Sequence, residues 1–571
     1  MFTIGTSKIT YEPFLKNAAM LGYGLYTHTM QKFGTLHVRA FVIENNTSKI
    51  CIVNAELGFI TLALQQAVLN EIKTKYPQFG LNETNLILTA QHTHSAPGGF
   101  SYYPLYNMPT PGFLEKIYRE VYEAMVAAIV AAEANKKHGN VSFQKGNFEL
   151  DKEVAFQRSM NAYNANPDIP EKITPETLHK GVNREMQLLS FTDENNKPLG
   201  SINWFGVHTT SISNNLHQVS SDNKGYASKF LETHFSEKGS DYVGAFAQGI
   251  CGDVSPRFRY KKDITKWQRG YWYGKFDDDY KSAEYNGKLQ FEKAAELLGK
   301  QGENVSEKLD SEIWWIDFTE IKCNPKFANG NTEARTTEAC MGIAFFRGAL
   351  MDGPGMPAVL MPIAKAMIKR AKKKELKLKG TDAKTQLKYR VHGVKDILLE
   401  THSQRLLGFN NFSQLPIPDF ADGSIAAIKK YYREIGSKRH VDYTPRVLPI
   451  QLAFIGNVAI AAFPFEITVI SGKRLANSLK EKLAVAGITE VILAPYANGY
   501  SGYITTYEEY QVQMYEAGHT VFGQWSLAAL QTKFDELATE ILKPKTERNL
   551  KQAVHPIPKL EEMNEFAYYK K

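Results

Sequence analysis

Two histidines separated by one residue are the first candidates for chemistry. His92 and His94 lie in the segment QHTHSAPGG (91–99), after an apolar run and before a Pro-Gly-Gly turn. Side chains at positions i and i+2 of an extended chain share one face, so both imidazoles can enter the same cleft. Neutral imidazole is a common metal ligand. The pattern alone is equally compatible with metal binding and with ordinary polar packing.

Two further residues extend this pair to a candidate metal site. His208 follows the apolar segment NWFGV (203–207), where a packed core histidine is the ordinary explanation, and Glu466 ends the apolar segment AFPFE (462–466). An ionised carboxylate is rarely buried without a metal, another cation or an arginine beside it. Catalytic zinc sites combine imidazole nitrogen and carboxylate oxygen with an open position for water. His92, His208 and Glu466 together therefore predict a zinc site.

Other polar residues in glycine-rich segments have competing explanations. Ser255 lies in GICGDVSPR (249–257), either as a nucleophile or as part of a structural turn, and the segment lacks the GxSxG pattern. Cys251 has no histidine or basic residue directly beside it in the sequence, so we expect a packed thiol. The tyrosines of ANGYSGYITT (497–506), and Tyr515 beyond them, would ordinarily pack as aromatic side chains.

The elements that must position these residues follow from hydrophobic periodicity. Runs rich in β-branched residues alternate with helical patterns, which predicts a mixed α/β fold with central sheets flanked by helices. Strands at 36–44, 49–57 and 85–94 enclose a helix at 61–76, which is a βαβ pattern. Further predicted elements are a strand pair at 183–193 and 200–210, a buried strand that enters a glycine-rich turn within 241–256, a hairpin over 446–466 turning at Gly456-Asn457, and helices at 113–136 and 285–309. Such folds place sites where strands end in loops, so we expect the metal site at strand ends.

The composition is that of a globular protein. With 43% hydrophobic and 22% charged residues, a disordered chain, a collagen-like chain and a disulfide scaffold are excluded. The 68 basic and 60 acidic residues leave +8 over 571 residues, too small an excess to indicate a nucleic-acid partner. Basic residues concentrate in AKAMIKRAKKKELKLK (364–379). A solvated helix or loop is the ordinary explanation, and a peripheral contact with an acidic membrane surface or partner is the alternative.

The ends and apolar runs of the sequence give an expectation for location. The first residues show no charged segment followed by an apolar one, and no run of about 18 apolar residues occurs. We therefore expect a cytoplasmic protein without a transmembrane helix. A secreted or periplasmic location is the expectation if a signal peptide has been removed.

Seven segments in a fixed order resemble the neutral/alkaline ceramidase family. They are QHTHSAPGGFSYY (91–103), NWFGVHTTSISNN (203–215), SSDNKGYAS (220–228), AFAQGICGDVSPR (245–257), MGIAFFRGALMDGPG (341–355), LPIQLAFIGNVAIAAFPFEITVISGKRL (448–475) and ANGYSGYITTYEEYQVQMYEAG (497–518). Each segment alone is weak, but the combination is specific.

The resemblance implies particular roles for residues at matching positions. His92, His208, Glu466 and Tyr503 match the zinc ligands of the family. Four further site residues match the family outside the ligand set. His94 would lie beside the metal or face the substrate, Ser255 is the candidate nucleophile, and Arg158 and Tyr515 match a site arginine and a site tyrosine. The segment around Arg158 departs from the family pattern Asn-Arg-Ser-Pro, because Gln157 and Met160 replace the asparagine and the proline. A structural Ca²⁺ or Mg²⁺ ion is also compatible with the resemblance, without assigned ligands.

The implied activity is hydrolysis of the N-acyl amide bond of ceramide to a sphingoid base and a fatty acid, by zinc-activated water rather than through a seryl intermediate. Two alternatives stay open: the same chemistry on another N-acyl substrate, such as an acyl amino acid or a small lipid amide, and a non-catalytic lipid-binding relative. We expect a catalytic domain over 1–520 and a helical or extended tail over 521–571 that packs on it. The 56 residues after Tyr515 are too few for the C-terminal β-sandwich domain typical of the family.

Overall fold

The structure is a computed structural model. It describes all residues except 17, 24–33, 108–111, 215, 263–270, 301, 350, 354, 357, 416, 417, 420–425, 427, 428, 431, 437–439 and 567–571. Gly24, which ends the segment LGYG (21–24) that also resembles the opening of the family, lies outside the described residues. So do Asn215, Leu350 and Pro354 of the seven segments, and the last five residues of the predicted tail.

A large mixed sheet dominates the N-terminal half. Its strands, in spatial order, are Leu86–Ala90, Lys49–Ala55, Leu36–Glu44, Phe2–Tyr11, Lys137–Asn147, Glu185–Asp193, Pro198–Phe205 and Val243–Gln248, and Glu303–Asn304 pairs with Lys137–Asn147. Strands Lys49–Ala55 and Leu86–Ala90 pair in parallel and are joined through helix Leu62–Lys75. The predicted βαβ unit is therefore confirmed.

A second, four-stranded sheet stacks on the large one. Its order is Leu309–Asp317, Val447–Ile455, Val458–Ala462 and Glu490–Ala494. The hairpin between its two central strands turns at Gly456-Asn457 as predicted. Gly456 has φ +62°, and a Cβ there would lie 2.5 Å from the Val305 Cβ, so the turn depends on glycine.

Alternating side chains build four layers from these sheets and the helices. In strand Leu36–Glu44, Val38 and Val42 face a core formed with helices, while Phe41 and Ile43 face the core between the two sheets. The second sheet shows the same alternation, with a helix-covered core on its outer face. The longer helices are Leu62–Lys75, Glu115–Ala134, Asp222–Ser236, Asp279–Leu298, Leu360–Lys379, Ala383–His392, Val469–Leu483 and Ser526–Ile541. The predicted mixed α/β fold with helix-flanked sheets is confirmed.

Short elements fill the connections. They are the strands Phe156–Gln157, Val254–Ser255, Arg259–Lys261, Tyr271–Tyr273, Cys340–Gly342, Ile397–Glu400, Arg405–Leu406, Glu466–Ile467 and Tyr503–Ile504, and the helices Met160–Tyr163, Ile343–Phe346, Tyr507–Val512, Tyr515–Gly518 and Leu560–Asn564. Single turns of helix lie at Pro77–Phe79, Pro104–Asn107, Leu178–Lys180, Pro325–Phe327, Phe412–Gln414, Tyr432–Gly436, Ala484–Ala486 and Lys545–Glu547. Within the described residues, no helix is both long and apolar enough to cross a membrane.

The helix predicted over 285–309 is wrong at its C-terminal end. The helical segment expected over 285–309 ends at Leu298, and the chain continues through strand Glu303–Asn304 into strand Leu309–Asp317. Gly299 and Gly302 follow the last helical turn, and glycine near a helix end favours termination. The four cysteines are free and buried, in agreement with the expectation that no disulfide framework is present.

The C-terminal residues lie along the second sheet. Helix Ser526–Ile541 buries Leu530, Phe534 and Leu537 in the core on the outer face of that sheet. Further along, the backbone N–H of Ala553 donates to the Trp315 carbonyl at 2.8 Å. The division into a catalytic domain over 1–520 and a tail over 521–571 stays a prediction.

Candidate metal centre

Two histidines stand at the carboxyl ends of strands in the large sheet, and backbone carbonyls orient both. His92 follows Leu86–Ala90, and its Nδ1 lies 2.5 Å from the Gly58 carbonyl. His208 follows Pro198–Phe205, and its Nδ1 lies 2.8 Å from the Cys251 carbonyl. A carbonyl only accepts hydrogen bonds, so each Nδ1 carries the proton and each Nε2 presents a lone pair. Carbonyl partners of this kind orient metal-binding histidines.

The backbone at His92 is strained. Its φ of +74° lies in the region that residues with a Cβ seldom adopt, at a cost of about 1–3 kcal/mol. The N–H groups of His92 and Thr93 both donate to the Leu57 carbonyl, at 2.9 and 3.0 Å. These two hydrogen bonds hold the strained conformation, which directs the His92 imidazole toward His208.

His94 joins the same cluster. Its Nε2 lies 3.0 Å from Nε2 of His92, and its Nδ1 has no hydrogen-bond partner. Ligand atoms of His92, His94 and His208 all lie within 4.8 Å of one another. Burial lowers the pKa of His94 and of His208, and although the Glu466 charge acts in the opposite direction, the net shift of both is downward. The two rings are therefore held neutral, as metal binding requires.

Glu466 faces the histidines from the second sheet. Its Oε2 lies 3.5 Å from Nε2 of His92 and 3.2 Å from Nε2 of His208. The hydroxyls of Tyr500 and Tyr496 donate to the carboxylate at 2.5 and 3.1 Å. Burial alone would raise the pKa of this carboxyl, but the neighbouring imidazoles hold that pKa well below its usual range. Positive charge beside this carboxylate therefore keeps it ionised in a buried site.

Tyr503 lies directly opposite Glu466. The short strands Glu466–Ile467 and Tyr503–Ile504 pair in parallel, with these two residues in register. The guanidinium of Arg158 donates from Nη2 to the Tyr503 hydroxyl at 3.1 Å. Burial raises the pKa of Tyr503 well above its usual value, and the Glu466 charge raises it further.

The donor atoms fit a tetrahedral metal. Ligands at about 2.0–2.1 Å in a tetrahedron lie about 3.4 Å apart, and the separations of Glu466 Oε2 from the two imidazole nitrogens are 3.5 and 3.2 Å. Nε2 of His208 is buried and forms no hydrogen bond, so its lone pair faces a carboxylate. Two acceptors at this distance repel each other unless a cation lies between them. The residues present therefore fit a zinc ion.

A second cluster surrounds Arg158. Its guanidinium donates to Asp352 at 2.7 Å, to Glu516 at 2.9 Å and to the Gly252 carbonyl at 2.7 Å. With the bond to Tyr503, four contacts engage all three nitrogens. The Ser255 hydroxyl donates to Asp352 at 2.6 Å, and no hydrogen bond joins it to a histidine among the described residues. The structure thus brings Ser255 and Arg158 together through Asp352.

Tyr515 and His519 form the aromatic side of the site. The Tyr515 ring stacks on Phe345 at 4.8 Å, and the Arg158 guanidinium lies 5.3 Å from its centre. Burial raises the pKa of Tyr515 above its usual value, so the phenol keeps its proton. His519 is buried with both ring nitrogens unpartnered, 4.3 Å from Phe345 and 5.9 Å from Tyr503 between ring centres.

Comparison with known proteins places this site in a family. A family model described as neutral/alkaline non-lysosomal ceramidase, N-terminal, matches residues 2–417 and 415–532. The chain belongs to the neutral/alkaline ceramidase family. The neutral ceramidase of Pseudomonas aeruginosa is 33% identical over 546 residues, which cover 95% of this chain and 72% of the relative. Neutral ceramidase B of Dictyostelium discoideum is 30% identical over 90% of this chain and 69% of its own length.

Two solved structures have the same fold as this ceramidase-family chain. The crystal structure of the neutral ceramidase from Pseudomonas aeruginosa matches with a TM-score of 0.76 and 31% identity, over 97% of this chain and 76% of that one. A ceramidase complexed with C2 matches with a TM-score of 0.78 and 32% identity, over 97% and 77%. The predicted family and the predicted enzyme class, a ceramidase-type amidohydrolase, are confirmed.

Several residues of this ceramidase-family site were not predicted. Asp352 and Glu516 bind Arg158, and Tyr500 and Tyr496 donate to Glu466. The sequence does contain a signal for Asp352, which is the single charged residue of the glycine-rich stretch GALMDGPG. An acidic residue buried in such a stretch needs a partner. No pattern marks His519, whose place beside Tyr503 depends on tertiary contacts. The predicted roles of the site residues stay predictions, and so does the structural Ca²⁺ or Mg²⁺ ion, which has no assigned ligands.

Proposed function

We propose that this chain hydrolyses the N-acyl amide bond of ceramide, releasing a sphingoid base and a fatty acid, with a zinc ion held by His92, His208, Glu466 and Tyr503. The observation that carries the proposal is the buried carboxylate of Glu466, which faces imidazole lone pairs at separations typical of zinc ligands. The names of the relatives, neutral ceramidases, support ceramide as the substrate.

The protein holds this donor set in advance of metal binding. The Gly58 and Cys251 carbonyls fix the tautomers of His92 and His208, so that both Nε2 atoms point to one position. When bound there, zinc supplies a Lewis acid that polarises the amide carbonyl and lowers the pKa of a water molecule. The hydroxyls of Tyr496 and Tyr500 hold the Glu466 carboxylate in place.

Arg158 acts on the site mainly through Tyr503. Its guanidinium carries a permanent charge, and its contacts with Asp352, Glu516 and the Gly252 carbonyl fix its position. The remaining contact, at 3.1 Å, orients the Tyr503 hydroxyl. A cation beside this phenol also favours its deprotonation, which a metal ligand requires.

Stabilisation of the oxyanion falls to groups beside the donor set. Tyr515 keeps its proton and can donate it in a hydrogen bond, and His94 is the second candidate donor. Such donors act strongly when they are preorganised in a site without water. We assign these two residues to the developing charge on the amide oxygen.

Ser255 is placed as a group that positions the hydroxyls of the substrate. Its hydroxyl donates to Asp352 and accepts the backbone N–H of Arg257 at 3.0 Å. A serine nucleophile needs a neighbouring base that removes its proton, and the Asp352 carboxyl is a weak one because its pKa lies below the ordinary value. These contacts support hydrolysis without a seryl intermediate.

The experiment uses labelled ceramide and a labelled N-acyl amino acid. We expect fatty-acid release from ceramide, loss of release with a chelator, and recovery with zinc. Ser255→Ala should keep its zinc and a measurable turnover. Complete loss of turnover with intact zinc content would instead favour the seryl mechanism, and preference for the acyl amino acid would replace ceramide as the substrate.

A further inference from the structure

Helix Leu360–Lys379 carries nearly all of the net charge of the chain. It contains eight basic residues and one acidic residue, which leaves +7 of the total of +8. The single acid, Glu375, is directed inward and binds Lys388 at 2.9 Å and the Tyr389 hydroxyl at 2.7 Å. The charged side chains on the outward face of the helix are therefore all cations.

Within the part of the chain that the structure describes, the exposed cations of this helix have no acidic partners. Ala364 and Ile368 pack on the inner side of the helix into the core. Seven basic residues are exposed on the other sides, and among the described residues none of them forms an ion pair: Lys365, Lys369, Arg370, Lys373, Lys374, Lys377 and Lys379. A cluster of this size is typical of surfaces that bind anionic lipids.

Large apolar residues accompany the cations at the start of the helix. Val359, Leu360 and Ile363 are 60%, 45% and 57% exposed. Ile363 shares a helix face with Arg370 and Lys374, which lie two and three turns further along. A solvated basic helix explains the lysines but not three neighbouring apolar side chains in water. Apolar residues beside cations are typical of helices that lie in a membrane interface.

Neighbouring elements connect the helix to the candidate site. It begins eight residues after Asp352, which binds Arg158 and Ser255. The short helix Ile343–Phe346 contacts it and carries Phe345, which stacks on Tyr515 at 4.8 Å. A membrane bound at this helix would lie beside the segment that lines the site.

We propose that helix Leu360–Lys379 docks the protein on anionic membranes. The exposed lysines and Arg370 bind the phosphates and carboxylates of the headgroups, and Val359, Leu360 and Ile363 enter the interface. The docking surface does not depend on the proposed hydrolysis, because none of its residues belongs to the metal centre.

Vesicle sedimentation with the full chain tests this surface. We expect binding to vesicles that contain about one third phosphatidylserine, and little binding to pure phosphatidylcholine. Each neutralised cation should weaken binding about fivefold, from about 1 kcal/mol per charge. The test variant and its matched control each replace four exposed cations with glutamine: Lys369, Arg370, Lys373 and Lys374 in the first, and Lys73, Lys281, Lys288 and Lys300 in the second.

The proposal requires the test variant to lose at least tenfold in partition while the control keeps most of its binding. It also requires Ile363→Ser to weaken binding to anionic vesicles with unchanged circular dichroism. Equal losses in both glutamine variants would overturn it, since net charge alone would then explain binding. Equally tight binding of duplex DNA, unaffected by Ile363→Ser, would overturn it in favour of a nucleic-acid surface.

Discussion

Asp352 holds the cluster around Arg158 together, so its charge is the feature to remove first. Its carboxylate accepts from Arg158 at 2.7 Å and from the hydroxyls of Ser255 and Thr210, both at 2.6 Å. In Asp352→Asn the shape is kept, but the amide cannot satisfy all three partners. If its oxygen accepts from the hydroxyls, its NH₂ group faces the Arg158 donor.

The expected cost follows from the burial of this pair. Breaking a buried ion pair by removing one partner costs about 3–5 kcal/mol. Glu516 still binds Arg158 at 2.9 Å, so we expect the lower end, about 3 kcal/mol. Asp241→Asn is the matched control, because Asp241 is exposed and surface substitutions usually stay within about 0.5 kcal/mol.

The pH dependence gives a second readout. Burial would raise the pKa of Asp352, but Arg158 lowers it below its usual value. A carboxyl with a lowered pKa in the folded state stabilises above its unfolded pKa of about 4, and this contribution is lost as the pH falls through the folded value. The difference between wild type and Asp352→Asn should therefore be constant from about pH 5 to 8 and shrink in acid.

Urea unfolding at several pH values measures both effects. The structure predicts that Asp352→Asn loses far more free energy of unfolding than Asp241→Asn at pH 7. If the two variants are equal, or if their difference from wild type persists unchanged in strong acid, the ion pair between Asp352 and Arg158 does not stabilise the folded protein.

Two further predictions concern a close backbone contact and a buried cation. Gly502 and Gly487 have φ of +73° and +77°, but of the two only Gly502 has a neighbour that a Cβ would meet, the His519 carbonyl at 2.6 Å. Gly487→Ala should therefore cost about 1 kcal/mol of unfolding free energy, and Gly502→Ala about 2 kcal/mol more with reduced zinc content. Equal costs of the two substitutions in urea unfolding would contradict the close packing beside Tyr503. Burial lowers the pKa of Lys395 to about 7, so the unfolded chain binds more protons between about pH 7 and 10 and wild-type stability should rise there. Lys395→Met should remove up to about 4 kcal/mol of that rise in unfolding free energy. Parallel pH profiles of wild type and variant would show that this lysine is not buried.

The sequence predicts the buried strands better than the polar ones. Leu36–Glu44 is buried on both faces and rich in apolar residues, so its pattern is unmistakable. Lys137–Asn147 was not predicted, because KHGNVSFQKGN contains few apolar residues and much of the strand is exposed. It forms because its neighbours Phe2–Tyr11 and Glu185–Asp193 supply hydrogen bonds. Pairing of this kind depends on contacts between distant segments.

The metal centre is more predictable than the cluster around Arg158. His92, His208 and Glu466 each follow a strand, and strand ends in α/β folds converge on sites. Asp352 and Glu516 lie outside the sheets, in a turn and in helix Tyr515–Gly518. Their positions beside Arg158 depend on tertiary packing, which produces no periodic pattern in the sequence.

Metal analysis combined with turnover measurement tests whether the hydrolysis depends on zinc. The proposed mechanism predicts about one zinc per chain and release of fatty acid from ceramide, with zinc and release both lost on chelation and both restored by zinc. His208→Ala should lose zinc and reduce turnover by about 100-fold or more, while His138→Ala, at an exposed position, should match wild type. Full turnover in His208→Ala, or in chelated protein free of zinc, would contradict zinc-dependent hydrolysis at this site.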